Sequence, residues 1–239
     1  MLPEIPVHIV QRGNNRISCF FAEQDRRFYL FQLGRMLRQC GCALHAYCLM
    51  TNHVHLLVTA ADVRGCAQLM KHVSQLHTQY VNRTYGRSGT LWEGRFRSCL
   101  VQSEEYVLAC YRYIECNPAR AGIAEHPRSH PWSSYRANAC GTYNALITPH
   151  AEYLRLGRDD SQRREAYTAL VDCQLEPKSI TKIREATNGN FALGDKEFRD
   201  ALARALGKRV ERGTPGRPGR AQGSTGPDLL GSEENVVCP

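Results

Sequence analysis

Two histidines sit two residues apart in an apolar run, HVHLLV within residues 47–58 (YCLMTNHVHLLV), and this constrains the chain more than any other feature. Successive side chains on a strand point to opposite faces, so His53 and His55 share one face and Val54 takes the other. The segment reads as a strand with Val54 facing the core and two imidazoles on a polar face. Such a pair is either two polar residues on a half-solvated surface or half of a metal site. The rest of the chain has to decide between these.

The flanking pattern supplies the frame. Residues 5–11 alternate as a first strand, and Arg12, Gly13, Asn14, Asn15 and Arg16 form a polar turn, either a phosphate site or a plain surface loop. Over 23–40, Phe28, Leu30, Phe31, Leu33, Leu37 and Cys40 recur at helical spacing, and Gly41 ends that helix. Strands at 42–50 and 53–59 then form a hairpin about Thr51 and Asn52. A second helix over 62–85 is striped by Leu69, Val73, Leu76, Tyr80 and Val81, with Asp62 as its expected N-cap. A Gly-rich loop at 86–94 carries Trp92 and leads into a strand at 95–101. Ser103, followed by two glutamates, is expected to cap a third helix that Pro118 stops near residue 116. The order strand, helix, strand, strand, helix, strand predicts an α+β fold, an antiparallel sheet backed by helices on the split β-α-β plan.

Beyond Gly122 the periodicity weakens. Residues 131–135 (PWSSY) predict an ordered turn, and short helices are expected over 161–172, 180–187 and 195–206, with Asn188, Gly189 and Asn190 as a turn. The organisation expected is a catalytic domain over 1–143, a small helical basic appendage over 144–212, and a Gly-, Pro- and Ser-rich disordered tail over 213–239.

Composition narrows the classes. Hydrophobic content of 42% and charged content of 23% are those of an ordinary soluble globular chain, and no apolar run is long enough to span a membrane. The first fifteen residues lack a signal-peptide pattern, so a cytoplasmic location is expected. The eleven cysteines are scattered and include no C-x-x-C pair, which points to reduced core residues rather than a disulfide scaffold or zinc finger. Net charge is +8, and seven basic residues between Arg199 and Arg220 face only Asp200 and Glu211. A second basic group, Arg83, Arg87, Arg95 and Arg97, is opposed by Glu93 alone. Such clusters fit a polyanion, nucleic acid first, or are solvated faces.

The third helix carries YRYIECNP, placing Tyr113 and Asn117 four residues apart on one face. Two imidazoles and an amide oxygen suit a divalent cation such as Mg²⁺ or Mn²⁺. A tyrosine beside them is a candidate nucleophile toward phosphate, although a tyrosine at a helix surface is also common simply as an amphipathic residue. Tyr111 points roughly 200° away. Tyr106, seven residues earlier, shares the face and is the rival.

HVHLLV preceded by YCLMTN, the YRYIECNPARAGI run, IVQRGNNR near the start and GTLWEGRFRS before the third helix together resemble the HUH single-tyrosine transposases, where HUH means His, hydrophobic, His. The Tyr-x-x-x-Asn motif followed by proline is most similar to the REP-associated tyrosine transposase branch, and the likeness covers roughly residues 3–135. The resemblance implies a ferredoxin-like or RRM-like sheet and a divalent metal ion (Mg²⁺ or Mn²⁺) held by His53, His55 and Asn117. It further implies that Tyr113 attacks single-stranded or hairpin DNA to leave a 5′-phosphotyrosine. DNA contacts are expected at Arg12, Asn14, Arg16, Trp92, Arg95, Arg97 and Arg120, in a monomer or homodimer with no membrane partner. Three other readings stay open: a non-catalytic DNA-binding regulator, a metal-dependent hydrolytic nuclease, and an RRM-like RNA binder, for which HVHLLV offers histidines in place of exposed aromatics.

Overall fold

The computed structural model describes residues 2–211; the expected disordered tail, and Arg212, Arg217 and Arg220 with it, lie outside the described residues. The chain runs β1 (Val7–Arg12), a 3₁₀ turn at Asn14–Arg16, α1 (Glu23–Gln39), β2 (Cys42–Leu49), β3 (His53–Ala60), α2 (Gly65–Thr84), β4 (Arg97–Val101), α3 (Ser103–Glu115) and α4 (Asn117–Arg120). It continues through α5 (Tyr135–Cys140), α6 (Ala151–Leu154), α7 (Asp160–Asp172), α8 (Pro177–Gly189), β5 (Ala192–Leu193) and α9 (Lys196–Leu206). Strand order is β2-β3-β1-β4-β5. The first four strands are antiparallel in the ferredoxin-like order, and β5 adds a parallel edge to β4.

Strand alternation builds two cores on this sheet. Ile9, Val54, Leu56 and Val58 face α1 and α2, where they meet Leu33, Leu37, Leu69 and Val73. On the opposite face Leu57, Cys99 and Val101 meet Val107, Cys110 and Ile114 of α3, Tyr167 of α7 and Ile183 of α8. A bulge in β2 shifts the register between Leu44 and Ala46, so Leu44 belongs to the first core and Ala46 to the second.

Several local expectations change. Gln102, not Ser103, occupies the cap position of α3. Asp62 lies ahead of α2 and accepts the Arg64 N–H at 2.7 Å, so the helix itself starts at Gly65. The third helix does end where expected, at Glu115 with Cys116 as its C-cap, but a separate short helix, α4, follows at once. The backbone bends at Cys116 (φ −85°, ψ 2°), and proline then sits at the second position of α4, where a helix needs no N–H donor. Gly41 does end α1, at φ +58°, a conformation costly for any residue with a Cβ.

The larger correction concerns the second sheet face. Read in the sequence as a polar face, either half solvated or carrying half of a metal site, it is covered by α3 and α8, and His55 keeps only 4% of its surface. Residues after 143, read in the sequence as a helical basic appendage, supply much of that cover. Ala192 and Leu193 pair with Leu100 and Val101, α8 packs on β4, and the Tyr167 hydroxyl donates to the buried Glu115 of α3. Among the described residues the cysteines are free thiols, with Cys19, Cys48, Cys66, Cys99 and Cys110 buried, and no helix is long and apolar enough to cross a membrane.

Candidate active site

Register places the site. On β3, His53 and His55 project to the α3 side of the sheet, and across the ladder His53 stands opposite Arg12 and His55 opposite Val10. The two imidazoles are 5.0 Å apart between centroids at 76°. Asn117, first residue of α4, brings its amide nitrogen to 3.4 Å from His53 Nε2. Asn117 thus lies just past the end of α3, at the start of the next helical turn.

Each histidine is held from behind through Nδ1. Asn52 accepts from His53 Nδ1 at 2.7 Å, and the same amide donates through Nδ2 to the Arg16 carbonyl at 3.0 Å. That second bond fixes which end of the amide faces the imidazole. His55 Nδ1 lies 3.0 Å from Nε2 of His8, whose Nδ1 lies 2.9 Å from Thr187 Oγ1. His8 and His55 stack at 5.3 Å and 11°. Neither His8 nor Thr187 was singled out in the sequence, and Asn52 was read only as a turn residue. Alternation along β1 carried the signal for His8, since it shares a face with Arg12, but nothing local marked a threonine 179 residues away.

Burial keeps these imidazoles neutral. It draws His53 down to about 4, with Arg12 adding to the effect, and His8 down to about 3. His55 is held well below the ordinary histidine range by burial first, then by His8 and His53. Neutral imidazole is the form that ligates a cation.

Tyr113 packs against this cluster. Its ring meets His55 edge-on at 5.8 Å and His8 at 5.7 Å, and only 6% of it is exposed. The Arg120 guanidinium lies over the ring face at 4.4 Å and also donates to the Tyr113 carbonyl. Tyr106 lies elsewhere, lining a cleft with Lys182, Glu185 and Arg199. Tyr111 is fully buried and accepts the His150 N–H at 3.2 Å.

The expected DNA contacts separate. Arg12 and Arg16 are exposed near His53, and half-buried Asn14 sits in the turn joined to β3 by Asn52. Gly13 makes that turn possible, since a Cβ there would meet the Ile17 carbonyl oxygen at 2.3 Å. Arg97 pairs with Val10 on the same face as His55, two strand spacings or about 10 Å away, and Arg95 is exposed beside it. Trp92 is a correction. It is 4% exposed, donates from Nε1 to the Ser74 carbonyl at 3.2 Å and packs near Tyr29 and His77, so it is a core residue and not a stacking surface.

No group of three or more His, Cys, Asp and Glu side chains able to hold a metal occurs among the described residues. The donor set here is two imidazoles and an amide, which is outside that description. It fits a divalent cation in chemistry: both Nδ1 atoms are engaged behind the rings, which leaves the Nε2 atoms, and the Asn117 amide, whose nitrogen lies 3.4 Å from His53 Nε2, carries on its other end an oxygen that a half-turn of the amide presents to a cation there.

Residues 2–117 match the sequence model of the family described as IS200-like transposase. No curated protein matches the chain. Among solved structures, a REP-associated tyrosine transposase bound to a REP hairpin is 15% identical, with 62% of this chain and 88% of that chain covered and a TM-score of 0.48. A putative transposase from Deinococcus radiodurans R1 is 17% identical, with 52% and 88% covered and a TM-score of 0.36.

Proposed function

The chain belongs to the IS200-like transposases through residues 2–117, and from that membership we propose that it cleaves and rejoins single-stranded, hairpin-containing DNA by transesterification at Tyr113. The observation that carries this reading is the convergence of one tyrosine, two histidines and an asparagine from β3, α3 and α4 at a single point. Tyr106, the rival, stays outside it.

In the proposed step, Tyr113 Oη attacks a phosphodiester, a Tyr–O–P bond forms and the P–O3′ bond breaks. The phenolic proton is given up and the departing 3′ oxygen takes one, so the step is balanced. One phosphodiester replaces another, so the 3′-OH of another strand reverses it without an external energy source. Arg120 faces the growing negative charge, and its buried Nε has no hydrogen-bond partner among the described residues. Arg12 and Arg16 hold the DNA backbone at the mouth of the site, with Arg97 and Arg95 further along the sheet. His53, His55 and Asn117 would hold a divalent cation, Mg²⁺ or Mn²⁺, which when bound polarises the phosphate.

The test is a 3′-labelled single-stranded hairpin oligonucleotide. The label should migrate with the denatured protein, Tyr113→Phe should abolish that adduct, Tyr106→Phe should retain it, and EDTA should suppress it. Cleavage with no covalent adduct would convert the reading to a hydrolytic nuclease.

A further inference from the structure

His8 and Thr187 belong to no motif, yet they form a continuous hydrogen-bonded line behind His55. Thr187 Oγ1 donates its one hydrogen to the Ile183 carbonyl at 2.8 Å. Toward His8 Nδ1, 2.9 Å away, that oxygen therefore accepts, so Nδ1 carries the hydrogen. Cys99 Sγ, 3.3 Å from the same oxygen, fits its second lone pair as a donor. A neutral imidazole has a single N–H, which leaves His8 Nε2 as the acceptor for His55 Nδ1–H at 3.0 Å. The chain of assignments ends at His55 Nε2 as a bare lone pair. Asn52 and the Arg16 carbonyl impose the same state on His53 by a separate route.

We infer that His8 and Thr187 are positioning residues that fix His55 with Nδ1 protonated and Nε2 unprotonated, so that helix α8, outside the matched residues 2–117, completes the cation site. Whichever nitrogen of a ligating histidine is protonated is set by the bond its other nitrogen makes. All the partners are buried, so water does not substitute for a missing one: His8, His55 and Thr187 are each under 5% exposed. The inference rests on the proposed cation site for its purpose, but the tautomer is a property of the metal-free, DNA-free protein.

The experiment uses the full metal-free chain labelled with ¹⁵N-histidine. Long-range ¹H–¹⁵N correlation spectra read the His55 tautomer, and titration with Mn²⁺ alone, followed by the signal of the free ion, reads affinity. The wild type should show Nδ1–H at His55. Thr187→Val keeps the shape but removes the acceptor; it should mix the tautomers and weaken Mn²⁺ binding about 10-fold or more, and Thr187→Ser should restore both. His8→Gln, which offers an amide oxygen to His55 Nδ1, should keep more affinity than His8→Leu, and this pair decides the matter if Thr187→Val does not fold. A wild-type His55 protonated at Nε2, or a folded Thr187→Val with unchanged tautomer and affinity, overturns the inference. The assigned tautomer in a wild type that binds no Mn²⁺ would sink the cation reading instead.

Discussion

The Arg120 guanidinium carbon lies 4.4 Å from the centre of the Tyr113 ring, while the same side chain donates to the Tyr113 backbone carbonyl. One arginine thus holds the tyrosine at both ring and backbone, from the helical turn that also carries Asn117. On the proposed reaction this cation serves charge growing on phosphate. Arg120→Ala should slow single-turnover adduct formation by about 100-fold, the scale for loss of one preorganised donor, with a smaller change in oligonucleotide affinity. Arg120→Lys should recover little, because a point charge does not reproduce a planar group stacked on a ring. A wild-type rate in Arg120→Ala would rule out this role.

Trp92 tests core against surface. Trp92→Ala should destabilise the chain by about 3 to 5 kcal/mol in denaturant unfolding, as expected for removing a large buried aromatic. Oligonucleotide affinity per folded molecule should stay at the wild-type value. Loss of affinity with unchanged stability would return the indole to the DNA interface.

Glu115 is fully buried and accepts from Ser134, from Asn138 at 2.7 Å and from Tyr167 at 2.6 Å. Burial, the largest cause, nonetheless lifts its carboxyl to about 7. The folded chain therefore binds a proton more tightly than the unfolded one. The associated stability is complete below the unfolded value, near pH 4.3, and is lost as pH rises through 7, on the order of 3 kcal/mol in all. His8, His53 and His55, held neutral by burial, raise stability with pH in any variant that keeps them, so the decline is read in the difference in unfolding free energy between wild type and Glu115→Gln, measured by chemical denaturation from pH 4 to 8. A difference that stays constant across that range would rule out Glu115 as its source.

Removal of residues 158–239 should yield a chain that fails to fold cooperatively. The truncation strips α7, α8 and β5 from the sheet and leaves Glu115 without Tyr167 and His8 without Thr187. Loss of the sharp thermal transition is the measurement. A truncated chain with a wild-type transition would restore the boundary drawn from composition.

Arg12 and Arg97 lie on the same sheet face as His55, on adjacent strands. Neutralising both should weaken single-stranded DNA binding and reduce the slope of log affinity against log salt by about 1.4 units, at roughly 0.7 for each phosphate contact on a single strand. An unchanged slope would remove these two residues from the phosphate track.

Local pattern by itself determined the order of strands and helices, the hairpin, the common face of His53 and His55, and the spacing that joins Tyr113 to Asn117. Periods of 2 and 3.6 are carried in a few neighbouring residues, so they survive in a sequence read alone. Burial was different. Trp92 looked available because loops rich in glycine are usually exposed, and its fate depended on α1 and α2 closing around it. The histidine face read only as a polar face because alternation reports that two faces differ, not what covers each one. Covering it required α8, more than a hundred residues away, and the contact from Thr187 to His8 to His55 is a product of strand register and helix docking together. Sequence thus set which groups meet at the site, and only tertiary packing decided which nitrogen each imidazole presents, because that is fixed by a hydrogen bond with no local signature.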